Sequence, residues 1–288
     1  MHRGARLAAL RHLLRRLQQP LELPRSRPRA RRPRLDAGGQ RRHPPVVAGP
    51  VARVRCLQEV VIDGVRPTPP PARLPACRFR FPDPARADAD GLVARGGDLE
   101  PGTIVAAYRQ GIFPWPYDET ALLWWSPDPR AILPLQALHV SRSLGRTVRR
   151  ARFRVTLNAA FGAVIDGCAA RKETWITPAM RAAYVRLHAL GWAHSVEVWG
   201  PDQALAGGLY GVAVGGLFAA ESMFHRGTDA SKVAVVALVQ HARRVGTSLL
   251  DVQVLTDHLA TLGARAIPRA EYLRLLAAAL RLRVAFAG

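Results

Sequence analysis

Glu221, Asp251 and Gln253 are the residues whose types and spacing point most directly to chemistry. Asp251 and Gln253 are two positions apart in a run of β character, so their side chains project from one face and their apolar neighbours take the other. Glu221 is expected just past the end of the preceding strand. Two carboxylates and an amide that converge where strands end form the kind of crevice that binds ligands in open sheets. A structural alternative stays open, in which Asp251 pairs with a core arginine and Glu221 caps the following loop.

The elements that must position these side chains form a small strand–helix–strand system. A long helix capped by Asp229 is predicted to run to residue 245, where Gly246 ends it. Two strands joined by such a crossover helix pack best in parallel, with a right-handed connection. The predicted strands of this region cover residues 194–199, 204–214, 216–220 and 248–254.

Upstream, capping residues and prolines divide the chain into short elements. Ser141 is expected to cap a helix that ends near residue 150, Asn158 a helix that ends near residue 168, and Thr177 a helix that Gly191 ends. A helix is also predicted at residues 101–110, and short strands at 122–126 and 131–133. The alternation of strands and helices predicts an α/β (α+β) fold with a mixed sheet.

Composition shows where the positive charge lies. The chain has 288 residues, 49% of them hydrophobic, and a formal net charge of +21, which excludes wholesale disorder and suggests about two domains at ~150 residues each. Residues 1–78 carry 18 arginines against 4 acidic residues, together with 12 of the 23 prolines, so we expect a disordered Pro/Arg-rich extension. A tethered basic arm, an organellar transit peptide and a start codon assigned too far upstream are alternatives. The remaining +7 fits a polyanionic partner.

Several classes of protein are disfavoured. Three scattered cysteines form neither a disulfide framework nor a metal motif, which indicates a reducing, cytoplasmic compartment. The longest uncharged run, residues 203–220, contains five glycines and suits strands better than a membrane helix. The sequence holds no G-x-S-x-G elbow, Walker loop, G-x-G-x-x-G or H-E-x-x-H motif, so we expect no metal and no cofactor.

Four arginines and two tryptophans are candidates for contact with RNA. The side chains of Arg142, Arg146, Arg149 and Arg150 lie on the outward face of the helix that Ser141 caps. Trp124 and Trp125 point to opposite faces of one strand, so one of them faces outward or into a cleft, where an aromatic ring can stack on a base. Trp175 is a second candidate for stacking. A solvated charge run and ordinary core packing are the competing interpretations.

Motif blocks in residues 79–275 resemble the leucyl/phenylalanyl-tRNA–protein transferase family, in family order. Residues 1–78 have no recognised counterpart in it. The blocks are Phe81-Pro82, Gly91-Leu92-Val93-Ala94-Arg95-Gly96-Gly97-Asp98-Leu99, Gly111-Ile112-Phe113-Pro114-Trp115, Trp124-Trp125-Ser126-Pro127-Asp128-Pro129-Arg130, His194-Ser195-Val196-Glu197, Gly207-Gly208-Leu209-Tyr210-Gly211, Glu221-Ser222-Met223-Phe224, Ala230-Ser231-Lys232 and Asp251-Val252-Gln253.

The resemblance implies a small N-terminal domain, placed at residues 79–135, followed by a GNAT-like acyltransferase domain at residues 136–288. It implies that leucine or phenylalanine moves from its tRNA to the α-amine of proteins beginning with Arg or Lys, which marks them for N-degron degradation. No cofactor or membrane is needed, and we expect a monomer. A CoA-dependent N-acyltransferase and a non-catalytic tRNA-binding protein are the alternatives.

The resemblance also assigns roles to individual residues. Asp251 and Gln253 match catalytic positions, and Glu221 completes an acidic pocket for the acceptor's guanidinium or ammonium group. Asp251 is expected to orient the acceptor amine directly or through Gln253. Trp124 and Trp175, with the four arginines, are candidates to bind tRNA. The candidates to surround the leucine or phenylalanine side chain are Tyr184, Leu209, Phe218, Met223, Leu238 and Leu250, with ordinary core packing as the alternative for each.

Overall fold

A computed structural model describes residues 59–116, 121–170 and 174–287. In this part of the chain an eight-stranded mixed sheet and a three-stranded antiparallel sheet are combined with seven α-helices. The strands are β1 (Ile62–Val65), β2 (Leu92–Arg95), β3 (Phe113–Pro114), β4 (Leu123–Trp125), β5 (Arg130–Ile132), β6 (Arg154–Leu157), β7 (Ala193–Trp199), β8 (Leu205–Val214), β9 (Leu217–His225), β10 (Leu249–Gln253) and β11 (Arg265–Ile267). The helices are α1 (Pro101–Tyr108), α2 (Arg142–Arg149), α3 (Phe161–Ala169), α4 (Pro178–Ala189), α5 (Ala230–Val245), α6 (Asp257–Thr261) and α7 (Arg269–Ala279).

The large sheet confirms the predicted α/β class and mixed sheet. Its strand order is β1-β6-β7-β8-β9-β10-β5-β11, and β2-β4-β3 forms the small sheet. Strands β9 and β10 pair in parallel, with α5 as the crossover between them, as the strand–helix–strand pattern predicts. Strand β9 runs to His225, however, so Glu221 lies inside the strand rather than past its end, and it does not cap a loop.

Two of the four predicted capping residues cap their helices. Ser141 and Thr177 accept hydrogen bonds from backbone N–H groups in the first turns of α2 and α4, as expected. Asp229 does not cap α5: it adopts a left-handed conformation, and its carboxylate accepts from Lys232 instead. Asn158 does not cap α3 either, because it bonds the backbone of Ser195.

The two faces of the large sheet bury separate apolar cores. Because side chains alternate along β8 and β9, Leu209 and Phe218 pack with α5 on one face. Tyr210 and Ala219 pack on the other face with α3, α4 and the aromatic side chains of the small sheet. The small sheet and the large sheet therefore share one core, which fixes the position of the N-terminal unit against β9.

Two segments pair differently from what the expected division of the chain suggests. Residues 59–78, which composition places in the extension, belong in part to the fold: β1 pairs in parallel with β6, and the Val60 amide donates to the side chain of Gln240. Strand β5, expected in the N-terminal domain, lies in the large sheet between β10 and β11. Residues 1–58 lie outside the described residues. No helix in the described part of the chain is long and apolar enough to cross a membrane.

Candidate active site

Two register shifts bring the amide and one of the carboxylates together. On β8 and β9, Tyr210 pairs with Ser222 and Gly211 with Ala220, so Glu221 is the extra residue of a β-bulge. A second shift occurs where β10 pairs with β5, between Asp251 and Gln253. Bulges re-aim side chains next to active sites. The result here is a hydrogen bond of 2.8 Å from the Gln253 amide to the Glu221 carboxylate.

Asp251 lies in a fully buried ion pair with Arg130. The Arg130 guanidinium donates to both carboxylate oxygens, at 2.9 and 2.6 Å. The Tyr272 hydroxyl donates to Oδ2 at 2.9 Å, and the backbone N–H of Gln253 donates to Oδ1 at 2.9 Å. An ionised carboxylate has about four acceptor sites. These four bonds occupy all of them, so Asp251 has no acceptor site left for a substrate.

Arg130 is the main site residue that the sequence prediction missed, although the core-arginine alternative for Asp251 anticipates such a pair. Its side chain is 1% exposed, lies between the rings of Phe113 and Tyr272, and donates to the carbonyl of Gly111 at 3.1 Å. Burial lowers the pKa of the guanidinium, but the charge of Asp251, the electrostatic effect of Tyr272 and the hydrogen bonds to Asp251 together raise it overall. Arg130 therefore ties the N-terminal unit to the end of β10. The only sequence signal for it is its place at the end of the Trp124–Arg130 motif block, which does not reveal its partner.

Glu221 is buried among neutral donors rather than beside a cation. Its Oε1 accepts from Gln253, and its Oε2 accepts from the Tyr184 hydroxyl at 3.1 Å. The Tyr184 hydroxyl lies 2.7 Å from that of Tyr108. Burial raises the pKa of the Glu221 carboxyl to about 7, and burial also raises the pKa of both tyrosines, which keeps them protonated. Glu221 thus changes charge near neutral pH.

An apolar cavity of about 30 Å³ opens beside Glu221, on the α5 side of the sheet. Four of the six predicted pocket residues line it: Leu209, Met223, Leu238 and Leu250. It has room for about two water molecules in this structure, so its walls must move to admit a larger side chain. Residues that the prediction missed also line it, namely Leu133, Val235, Val252 and Leu259.

The other two predicted pocket residues lie elsewhere. Phe218 is fully buried and stacks on Phe286, with ring centroids 4.6 Å apart. Tyr184 faces the opposite side of the sheet, where its hydroxyl donates to Glu221. Tyr184 is separated from the cavity by the sheet, whereas Phe218 lies on the α5 face but packs against Phe286 and does not line the cavity.

The predicted arginine face is present on α2. Arg142, Arg146, Arg149 and Arg150 are all exposed, whereas Leu144 on the same helix is buried. The helix has no acidic residue in its first turn. It packs near the start of α5, where Thr147 bonds the Asp229 carboxylate. The outward orientation is confirmed, and contact with RNA stays a prediction.

The tryptophans differ from the prediction. Trp124 and Trp125 are both buried, at 1% and 6% exposure, so of the two expected positions, outward or in a cleft, the outward one is wrong. The Trp124 indole donates to the carbonyl of Gly96, and this position gives no support to base stacking. Trp175 is half-buried and packs against Trp115, with ring centroids 5.4 Å apart. Trp115 is the partner that the sequence prediction missed, although it lies in one of the motif blocks.

The described residues contain no group of three or more His, Cys, Asp or Glu side chains that could hold a metal ion. What they do contain is an amide and a titrating carboxylate beside an apolar cavity. Such a site can bind an amine and an apolar acyl side chain next to each other, which is the arrangement of an acyltransferase that aligns two substrates.

The chain is similar in sequence to one family of this class. A family model for leucyl/phenylalanyl-tRNA protein transferase matches residues 132–277, and the model for the N-terminal domain of that family matches residues 97–128. The chain belongs to this family, and it is therefore an aminoacyltransferase.

Individual members of the family are also similar to the chain in sequence. A leucyl/phenylalanyl-tRNA–protein transferase of Anaeromyxobacter sp. (strain Fw109-5) is 55% identical over 213 residues, which cover 72% of this chain and 90% of the relative. The one from Edwardsiella ictaluri is 54% identical over 198 residues, covering 67% and 81%. A solved structure of L-PGS from Bacillus licheniformis aligns with 46% of this chain and 48% of its own at 11% identity, with a TM-score of 0.35, which is too low to indicate a common fold.

Proposed function

We propose that this protein transfers leucine or phenylalanine from aminoacyl-tRNA to the N-terminal α-amine of proteins that begin with Arg or Lys. The observation that carries the proposal is the Gln253–Glu221 hydrogen bond at 2.8 Å, next to an apolar cavity that Glu221 also lines. One group can hold an amine while the cavity accepts an apolar side chain. Family membership supplies the tRNA ester as the donor.

The chemistry asks little of the protein. The amine nitrogen forms a bond to the ester carbonyl carbon, the carbon–oxygen bond to the tRNA breaks, and the proton lost by the amine balances the one gained by the leaving oxygen. An α-amine has a pKa of about 8, so a useful fraction is deprotonated near neutral pH. The main task is to align the amine with the ester.

Gln253 is the group suited to that alignment. Its Nε2 is committed to Glu221, so the carbonyl oxygen of the same amide is the acceptor that remains for an N–H of the substrate. A neutral amide is a very weak base, and the proton therefore passes to solvent or to the leaving oxygen. Gln253 has a positive φ of 64° and takes its orientation from its surroundings rather than from strand geometry.

Asp251 acts through Gln253 in this proposal. Its carboxylate holds the Gln253 backbone N–H and is itself held by Arg130 and Tyr272. Of the two roles expected for Asp251, direct contact with the amine and orientation through Gln253, the occupied lone pairs favour the second.

Glu221 supplies negative charge for the acceptor. In its ionised form it attracts the guanidinium or ammonium group of an N-terminal Arg or Lys. The donor's side chain enters the apolar cavity, where unbranched Met223 can adapt to both leucine and phenylalanine. The tRNA lies along the arginines of α2, and the half-buried Trp115–Trp175 pair offers an aromatic surface to a base.

The first experiment is a transfer assay with labelled Leu-tRNA and a peptide beginning with Arg, in the absence of CoA. Product formation supports the proposal. Retention of tRNA without product indicates a non-catalytic RNA-binding protein, and a requirement for acyl-CoA indicates an N-acyltransferase. A peptide of the same sequence beginning with Glu is the matched control, and it should give little product.

The role of the α2 arginines is tested by measuring how the affinity for aminoacyl-tRNA depends on salt concentration. Replacing Arg142 and Arg149 with Ala should reduce the dependence of log affinity on log salt by ~0.7–0.9 for each phosphate that the variant no longer neutralises. The matched control replaces Arg265 and Arg274, which are also exposed but lie on β11 and α7. An unchanged affinity and slope in the α2 variant would exclude α2 from the tRNA interface.

In the cell, the added residue would mark its target for N-degron degradation, and the protein would act as a monomer. Gel filtration with in-line light scattering checks the oligomeric state. Comparing the half-life of an Arg-initiated reporter with and without the intact gene checks the effect on degradation, and an equal half-life would contradict it.

A further inference from the structure

A second and larger cavity lies away from the Glu221 site. Its volume is about 370 Å³, and it shares no lining residue with the apolar cavity beside Glu221. One part of its wall is the proline run Pro69 to Pro71, and another is the C-terminal segment from Leu282 to Ala287. Both walls lie outside residues 97–277, the span that the family models cover.

Both walls are held in place by contacts with the rest of the fold, so the cavity is part of the folded structure. Next to the prolines, the Ala72 amide donates to the carbonyl of Leu190, and the Trp192 indole donates to the carbonyl of Ala72. A Cβ on Gly191 would lie 2.1 Å from the Pro69 carbonyl oxygen, so only glycine permits this approach. In the C-terminal wall, Phe286 stacks on Phe218 in the core.

The charged side chains among the described lining residues are all arginines, and therefore positive. Arg109 and Arg283 line the cavity and are both exposed, so they lie at its opening. The Arg109 guanidinium lies 5.9 Å from the centroid of the Trp192 ring, which lines the cavity too. Among the described residues that line it there is no Asp or Glu. His194 also lines it, and burial lowers the pKa of its imidazole to about 3, so it is neutral at neutral pH.

We propose that this cavity is a binding site for a small amphipathic anion, namely a carboxylate with an aromatic or alkyl body and no free ammonium group. The prolines, Trp192 and Phe286 provide apolar walls for the body, and the two arginines at the opening bind the carboxylate. A cavity of this size falls in the range of small-ligand pockets. A free amino acid or an amine is disfavoured, because the described residues of the lining include no Asp or Glu to pair with an ammonium group.

The test uses two probes that match in shape and differ in charge. Isothermal titration calorimetry of the full-length protein should show binding of 3-phenylpropanoate and none of phenethylamine. Arg109→Gln and Arg283→Gln should each weaken binding of the carboxylate by about tenfold or more, since each removes a charge-assisted hydrogen bond. The control is Arg281→Gln, which changes an exposed arginine of the same segment that does not line the cavity.

A charge-reversal variant keeps the result decisive. Ala285 lines the cavity and is exposed, so Ala285→Glu places a carboxylate at the opening with little risk to folding. It should abolish binding of phenylpropanoate and favour phenethylamine. Equal binding of both probes to the unaltered protein, equal binding of phenylpropanoate to the arginine variants and the control, or no binding up to about 10 mM would each overturn the proposal. Binding is measured without tRNA, so a failure here is distinct from a failure of aminoacyl transfer.

Discussion

The two ends of the active site bury a carboxylate in opposite ways. At the Asp251 end, the carboxylate meets the full charge of Arg130 and accepts four hydrogen bonds. At the Glu221 end, the carboxylate accepts from the neutral groups of Gln253 and Tyr184, and burial raises its pKa to about 7. Both side chains are about equally inaccessible, at 0% and 2% exposure.

The difference shows that burial alone does not define the role of a carboxylate. Asp251 is paired with a cation, and its carboxylate holds backbone and side-chain groups in place. The hydrogen-bond donors around Glu221 are neutral, so its carboxyl group can gain or lose a proton. A cationic group of the substrate can then act as the counter-ion that the fold does not provide. The Asp251 end is suited to positioning, and the Glu221 end to binding.

The largest effect is expected where the fixed ion pair is broken. Arg130→Met should lower the free energy of unfolding by ~3–5 kcal/mol, because it leaves Asp251 buried without its counter-ion. Urea denaturation measures this. Arg181→Met is the control, since its pair with Asp166 is about half exposed and is worth at most ~1 kcal/mol. A small effect of Arg130→Met would contradict a stabilising role for the buried Arg130–Asp251 pair.

The titrating end predicts a pH dependence of stability. The folded pKa of Glu221 is raised from 4.5 to about 7, so between these values the folded state binds more protons than the unfolded state. This contribution to stability is full below about pH 4.5 and is lost as the pH rises through about 7. Glu221→Gln should remove a loss on the order of 3 kcal/mol between pH 5 and 8. Melting temperatures across this range measure it, and parallel profiles for both proteins would contradict the raised pKa.

A third expectation concerns the catalytic role of Gln253, which bonds both Asp251 and Glu221. Gln253→Met keeps the length of the side chain and removes its polar atoms, and it should lower kcat by about 10²-fold with little change in affinity for aminoacyl-tRNA. Single-turnover transfer assays separate the two quantities. Gln110→Met, on an exposed helix end, should leave both unchanged. A loss of tRNA affinity as large as the loss of rate would assign Gln253 to tRNA binding instead.

The smallest effect is expected in the pH profile of activity when two tyrosine variants are compared. Tyr184→Phe removes a donor to Glu221 that stabilises its ionised form. Transfer activity should increase as Glu221 ionises, and the pH of this increase should move upward in the variant. Tyr272→Phe removes one donor to Asp251, where Arg130 still holds the charge, and should leave that pH unchanged. Each hydrogen bond is worth about 1 kcal/mol. Equal shifts in the pH profile would remove the distinction between the two ends.

Much of the site is predictable because it follows local rules. The alternation of β10 separates Asp251 and Gln253 from Leu250 and Val252, and the structure keeps this division. Parallel pairing of β9 and β10 follows from the length of α5. The β-bulge at Glu221 is not predictable, because a register shift depends on how β8 and β9 pair and leaves no periodic signal in either strand.

The sequence by itself determined which residue types are available and, along the regular strand β10, which face they take, since these depend on neighbours along the chain. Only the tertiary structure decided that Arg130, 121 positions before Asp251, is its counter-ion, and that Tyr184 faces Glu221 instead of the apolar cavity. It also decided that part of residues 59–78 joins the fold through β1, where a proline-rich composition indicated an extension. The physical reason is that ion pairing and burial depend on contacts between distant segments, and neither composition nor periodicity records those contacts.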